Sequence, residues 1–201
     1  MKDYFFTVAD SQESLYKEKG SKFIGICFPV SSEEDVKSCQ EALRKRFYDA
    51  RHHCYAYIIG AAGDQYRAND DGEPNHSAGD PILGQIRSKE LTNTLVVVVR
   101  YFGGTKLGVS GLINAYKTAA AEALDQSKIV KEIVKSKYLL QYGYEITNEV
   151  MRLISDFNLE IFHQDFQADC KAEIGVRLNL EGAFKEEAEK TVGLTMKLIP
   201  S

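Results

Sequence analysis

No segment of this 201-residue chain is apolar for long enough to cross a membrane, and Met1-Lys2-Asp3-Tyr4 opens no secretory leader, so the expectation is a cytoplasmic protein without membrane contact. Cysteine is scarce and scattered. Cys27, Cys39, Cys54 and Cys170 form no C-x-x-C pair and no regular spacing, which reads as reduced thiols in small core positions. An excess of positive charge is also missing: the net charge of −4 excludes a chain that coats nucleic acid, so any RNA contact needs a local basic patch. The nucleotide signatures G-x-x-x-x-G-K-[ST] and G-x-G-x-x-G are absent, as are H-E-x-x-H and the G-x-S-x-G elbow. What remains has the ordinary apolar and charged fractions of a globular protein, with length enough for one large or two small domains.

The most directive stretch spans residues 93–111. Its valine-rich run, Leu95-Val96-Val97-Val98-Val99, predicts a strand buried on both faces. The strand empties into a loop, residues 103–111, with four glycines in nine residues. Arg100 is the first charge after the run and Lys106 sits in mid-loop. Residues 112–124 then predict a helix whose first amides face that loop. Two readings stand side by side. Arg100, Lys106 and the amides around Gly103 and Gly104 could form an anion or phosphate site, or the glycines could serve a tight turn that needs positive φ.

The rest of the first half is organised around this hub. Residues 4–8 and 22–28, with a charged segment around 16–21 between them, read as an antiparallel opening of two or three strands. Ser31 followed by Glu34 predicts a capping box for a helix with Val36, Cys39, Leu43 and Phe47 on one face and Arg44-Lys45-Arg46 at its end. Residues 51–60, entered by Arg51-His52-His53, predict a second strong strand. Adjacent histidines there point to opposite faces, so at most one meets a site. A short strand at 65–68 completes a hairpin. Residues 69–81 carry turn formers, acids and two of the four prolines, which predicts a long ordered loop before a short helix at 81–89.

Residues 125–136 change in composition and mark a boundary, giving domains at 1–130 and 136–201. The second parses as strand 137–144, helix 147–157, strands 159–166 and 170–179, helix 183–192 and strand 194–199. That order is βαββαβ, the ferredoxin-like pattern, and the fold class is α+β.

Two other chemistries are open to the residues. Asp70, Asp71, Glu73 and His76 offer hard ligands for a metal-dependent hydrolase of small molecules or peptides, although calcium-loop spacing is lacking and turn or capping roles also account for them. Ser77 beside His76, or a cysteine, offers a nucleophile without a recognisable elbow.

Taken together, Arg51-His52-His53-Cys54-Tyr55-Ala56-Tyr57, then Asp70-Asp71-Gly72-Glu73-Pro74 with Ala78-Gly79, then Val99-Arg100-Tyr101-Phe102-Gly103-Gly104-Thr105-Lys106-Leu107-Gly108 resemble the IMPACT family, and the length and tail resemble its bacterial YigZ-type members. The resemblance implies a first domain like ribosomal protein S5 domain 2 and a second similar to the last domain of elongation factor G. It also implies a proposed association with RNA or the ribosome and no established catalytic residues. Eukaryotic relatives regulate translation by opposing activation of a starvation-responsive kinase. They use an additional N-terminal domain that this sequence is not expected to carry, so that role is not carried over. The family's motif positions fall on Arg51, His52, His53, Asp70, Asp71, Gly72, Glu73, Pro74, Gly79, Arg100, Gly103, Gly104 and Gly108. Asn75-His76-Ser77 departs from the small residues usual after the proline. Asp80 stands where a cation is common, which leaves Arg51, Arg100 and Lys106 as the stronger phosphate candidates.

The expectation is therefore a non-enzymatic, translation-associated regulator that binds RNA, the ribosome or a regulatory protein and needs no cofactor or metal. Its binding residues would be Arg51, His52, Arg100, Gly103, Gly104 and Lys106, beside a motif loop of Asp70, Asp71, Gly72, Glu73 and Pro74.

Overall fold

A computed structural model describes residues 3–167 and 169–200. They form two compact units: Phe5–Glu132, and Asp3 and Tyr4 with the described residues from Ile133 onward. Both combine helices with antiparallel sheet.

Apart from the end residues Tyr4 and Ile133, the first unit holds β1 (Tyr4–Val8), β2 (Gln12–Glu18), β3 (Ser21–Pro29), α1 (Glu33–Arg46), β4 (His52–Ile59), β5 (Gln65–Asn69), α2 (Gly79–Ser88), β6 (Thr94–Tyr101), α3 (Gly108–Gln126) and β7 (Ile129–Ile133). Five strands make one sheet in the order β2-β3-β6-β4-β5, with every neighbouring pair antiparallel. The valine run is its central strand and is buried on both faces. Val96 and Val98 pack into a core with Ala115, Tyr116 and Ala119 of α3 and Ile82 and Ile86 of α2. Leu95, Val97 and Val99 join Val36 and Leu43 of α1, and Phe47 just after it, in a second core. Period-two alternation explains the division: one strand serves two layers because both of its faces are apolar.

Small residues set how closely α3 approaches the sheet. A Cβ on Gly25 would lie 2.3 Å from the Ala119 carbonyl oxygen, and the Ser14 hydroxyl donates to that oxygen at 2.9 Å. Three boundaries differ from expectation. The capping box of α1 uses Ser32 and Asp35 rather than Ser31 and Glu34, and the Asp35 carboxylate also accepts from the Ser31 amide and hydroxyl. Helix α2 starts two residues before Pro81, and α3 starts at Gly108, not Leu112, because glycines that signal a loop are here carried in its first turn. Residues 129–133, part of the boundary segment, form β7 and pair with β1.

The second unit runs β8 (Lys135–Gly143), a 3-10 turn (Tyr144–Ile146), α4 (Thr147–Asp156), β9 (Glu160–Phe166), β10 (Asp169–Arg177), α5 (Glu181–Lys190) and β11 (Thr195–Ile199). This is the βαββαβ order, and the sheet is antiparallel in the order β11-β8-β10-β9. Val150, Leu153 and Ile154 of α4 and Phe184 and Ala188 of α5 cover one face, against Leu140, Ala172, Ile174 and Val176.

Candidate functional site

Arg100 ends the alternation of β6, so its side chain follows Val96 and Val98 onto the face that α2 and α3 cover. Its guanidinium is buried there, 8% exposed, and Nη1 meets Oε1 of Glu73, itself 4% exposed, at 2.6 Å. The Tyr116 hydroxyl of α3 donates to the same oxygen at 2.7 Å. Two aromatic rings, Phe23 and Phe102, lie 5.4 and 5.7 Å from the guanidinium carbon. Expected to reach a phosphate, Arg100 thus has an internal anion as its first partner.

The motif loop is tied down along its length. The Asp70 carboxylate accepts from the amides of His76, Ala78 and Gly79 at 2.8–3.0 Å, and so caps α2, whose N-cap residue is an alanine with no side chain to do so. The Asp71 carboxylate accepts from the His53 amide at 2.7 Å and pairs with Arg44 at 3.2 Å, while its carbonyl meets His52 Nδ1 at 2.9 Å. Gly72 turns the chain with φ +87, and the Pro74 carbonyl accepts from the Ser77 hydroxyl at 2.6 Å. His76 faces Asp80, which raises its pKa, the hydrogen bond being the main cause. These carboxylates serve as caps and ion-pair partners. Among the described residues no three His, Cys, Asp or Glu side chains are placed to hold a metal ion. The loop thus offers no ligand cluster for the metal-hydrolase reading, and Ser77 is buried against its own loop.

His52 and His53 divide as strand alternation requires. His52 sits opposite Arg100 in the β4–β6 register and shares its face. A carbonyl only accepts, so His52 Nδ1 is the donor in this contact. His53 is buried on the α1 face, neither ring nitrogen has a hydrogen-bond partner among the described residues, and desolvation pushes its pKa down.

Where β4 begins, β6 ends and α3 begins, a cleft of about 630 Å³ opens. Arg51, His52, Arg100 and Lys106 all line it. Arg51 and Lys106 are exposed and make no ion pair or side-chain hydrogen bond among the described residues. Behind them α3 starts, among the described residues, without a side-chain cap and without an acidic residue in its first turn, so its leading amides carry the positive end of the helix dipole uncompensated.

The two glycines of the candidate set part company. A Cβ on Gly103 would fall 1.9 Å from the Gly20 carbonyl carbon, and the Gly103 amide donates to Ser21 Oγ at 3.1 Å. Gly103 is therefore a contact between the loop and the β2–β3 turn, whereas Gly104, at φ +88, faces open space. Sequence reasoning missed the apolar wall of the cleft, formed by Phe102, Leu107, Val109 and Leu112. Phe102 and Val109 are 58% and 52% exposed. The signal was available, since three large apolar residues, Phe102, Leu107 and Val109, stand around Lys106 in a stretch otherwise made of glycine and polar residues. Tyr116 was missed as the second partner of Glu73. It is the one aromatic in an alanine-rich helix.

The Impact N-terminal domain model matches residues 19–124, which include every residue lining this cleft. IMPACT family member YigZ of Escherichia coli (strain K12) is 36% identical over 152 residues, or 75% of this chain and 74% of that protein. IMPACT family member YvyE of Bacillus subtilis (strain 168) is 39% identical over 127 residues, 63% of this chain and 58% of that protein, so the chain spans little more than half of that relative. A crystal structure described as that of a hypothetical protein superposes with a TM-score of 0.73 at 29% identity, covering all of both chains.

Proposed function

Because this chain belongs to the IMPACT family, we propose that it is a translation-associated regulator that binds RNA, free or within the ribosome, through the basic rim of the cleft. The observation that carries the reading is the convergence of Arg51, His52, Arg100 and Lys106 on one exposed cleft beside the uncapped start of α3. Arg51 and Lys106 supply cations with no internal partner, and the helix amides supply oriented donors of the kind that hold phosphate oxygens. The role is one of binding rather than catalysis, and the motif loop serves it as scaffold. A cytoplasmic location belongs to the same reading. So do the likeness of the first domain to ribosomal protein S5 domain 2 and that of the second to the last domain of elongation factor G. The second likeness is supported by the βαββαβ order.

The test is co-sedimentation with ribosomes and RNA binding across a salt series. Phosphate contacts predict a log–log salt slope near −0.9 per contact on duplex and roughly −0.7 on single strands. Arg51→Ala and Lys106→Ala should each weaken binding and flatten that slope by about one contact. Absence of both ribosome association and RNA binding at low salt would sink the proposal. A nuclease-resistant complex with another protein would favour the protein-binding alternative.

A further inference from the structure

The cleft holds two chemistries side by side that a phosphate backbone alone does not call for. Its rim carries two cations that are unpaired among the described residues, Arg51 and Lys106, and one exposed carboxylate, Asp49, which accepts from the Tyr101 hydroxyl at 2.7 Å. Its wall is apolar and exposed at Phe102 and Val109. Deeper in, the Arg100 cation and the Glu73 anion cancel, so that end is neutral and rich in hydrogen-bonding groups. Arg100 is 7% exposed and its Nη1 is engaged by Glu73, while its Nε is closed off from solvent and has no partner among the described residues. Nη2 of the same guanidinium makes no hydrogen bond among the described residues and is not closed off, so it is the donor that a bound acceptor engages.

On the RNA-binding reading above, we infer that this cleft takes one unstacked nucleotide of single-stranded RNA. The base lies against Phe102 and the apolar wall, with an acceptor on its edge turned to Arg100, and the adjoining phosphate lies at Lys106, Arg51 and the first amides of α3. A duplex does not satisfy these features, because its bases are stacked inside and its surface presents only phosphates and groove edges. A splayed base offers a flat π-face for an exposed phenyl ring and ring or carbonyl acceptors for a buried guanidinium. The volume of about 630 Å³ is that of a small-ligand site, within the roughly 300–1,000 Å³ usual for such pockets.

The experiment titrates the intact protein, at fixed low salt, with three probes. These are a mixed-sequence eight-nucleotide RNA, the same strand with abasic sugars throughout, and a blunt duplex of equal length. Phe102→Ala should weaken the single strand about tenfold, the size of one base–aromatic stack, and leave the abasic strand and the duplex unchanged. Val109→Ala, which trims the apolar wall at an exposed helix position without adding charge beside the phosphate, should weaken the single strand in the same sense and leave the other two probes unchanged. Lys106→Ala should weaken all three probes and flatten their salt dependence. Thermal midpoints equal to that of the parent protein verify that both cleft variants are folded. Equal effects of Phe102→Ala and Val109→Ala on all three probes, or no effect on any, would overturn the nucleotide subsite while RNA binding itself stands. Failure of the parent protein to bind any of the three would overturn the RNA reading, and the subsite with it.

Discussion

One carboxylate oxygen, Oε1 of Glu73, joins the motif loop to both the central strand and α3, since it accepts from Arg100 and from Tyr116. Removing one member of a buried ion pair leaves the other charge without compensation, so Glu73→Ala should cost about 3–5 kcal/mol, read from the midpoint of urea unfolding. Lys106→Ala, at an exposed and unpaired position, should stay within about 0.5 kcal/mol of the parent protein. His53 gives a pH dependence of defined sign. Burial is the leading cause of its lowered pKa, Arg44 adds to the effect, and Asp71 opposes it. The folded protein therefore holds His53 neutral, while the unfolded chain takes up a proton below about pH 6.5. Stability from this group is complete above that value and is lost as the pH falls from it towards the folded-state pKa. Unfolding midpoints between pH 7.5 and 5.5 should fall less steeply in His53→Leu than in the parent protein.

The packing of α3 on β2 and β3 rests on the absence of a side chain at Gly25. An alanine there would place its Cβ 2.3 Å from the Ala119 carbonyl oxygen and push against the hydrogen bond from Ser14. Gly25→Ala should destabilise by about 1–3 kcal/mol or more, with faster amide exchange in the middle of α3. Helix α2 teaches a different lesson. Its cap, Asp70, lies nine residues before Gly79, so a search for a capping residue just ahead of the helix does not find it. The same holds for α3, where Gly108 and Gly111 in the first turn weaken the local helix signal and delay the expected start to Leu112. Helix interiors were readable because their apolar faces repeat. Helix ends were not, because distant groups or glycines decide them.

Across the molecule the four cysteines are unpaired, and Cys27, Cys54 and Cys170 are buried while Cys39 is half-buried. Burial raises the thiol pKa of Cys27, Cys39 and Cys54, which slows them all. Native-state alkylation should therefore modify Cys39 first, with the other three reacting on global unfolding, a pattern that mass spectrometry of the labelled protein would read. The net charge of −4 coexists with a basic cleft rim because charge is arranged locally. No described helix is long and apolar enough to cross a membrane. The family, the α+β character, the two-faced central strand and the βαββαβ order of the second unit all follow from motifs and periodicities that lie within short windows of the chain. The tasks of the charged motif residues do not. Arg100 could equally have met a phosphate, and its pairing with Glu73 is a contact between residues 27 positions apart. Ser14 and Ala119, 105 positions apart, set the depth of α3. Local pattern reports which face a side chain takes. Its partner across that face is chosen by which other segment folds over it, and that choice turned half of the basic and acidic motif into scaffold and left Arg51, Lys106 and the uncapped helix facing solvent.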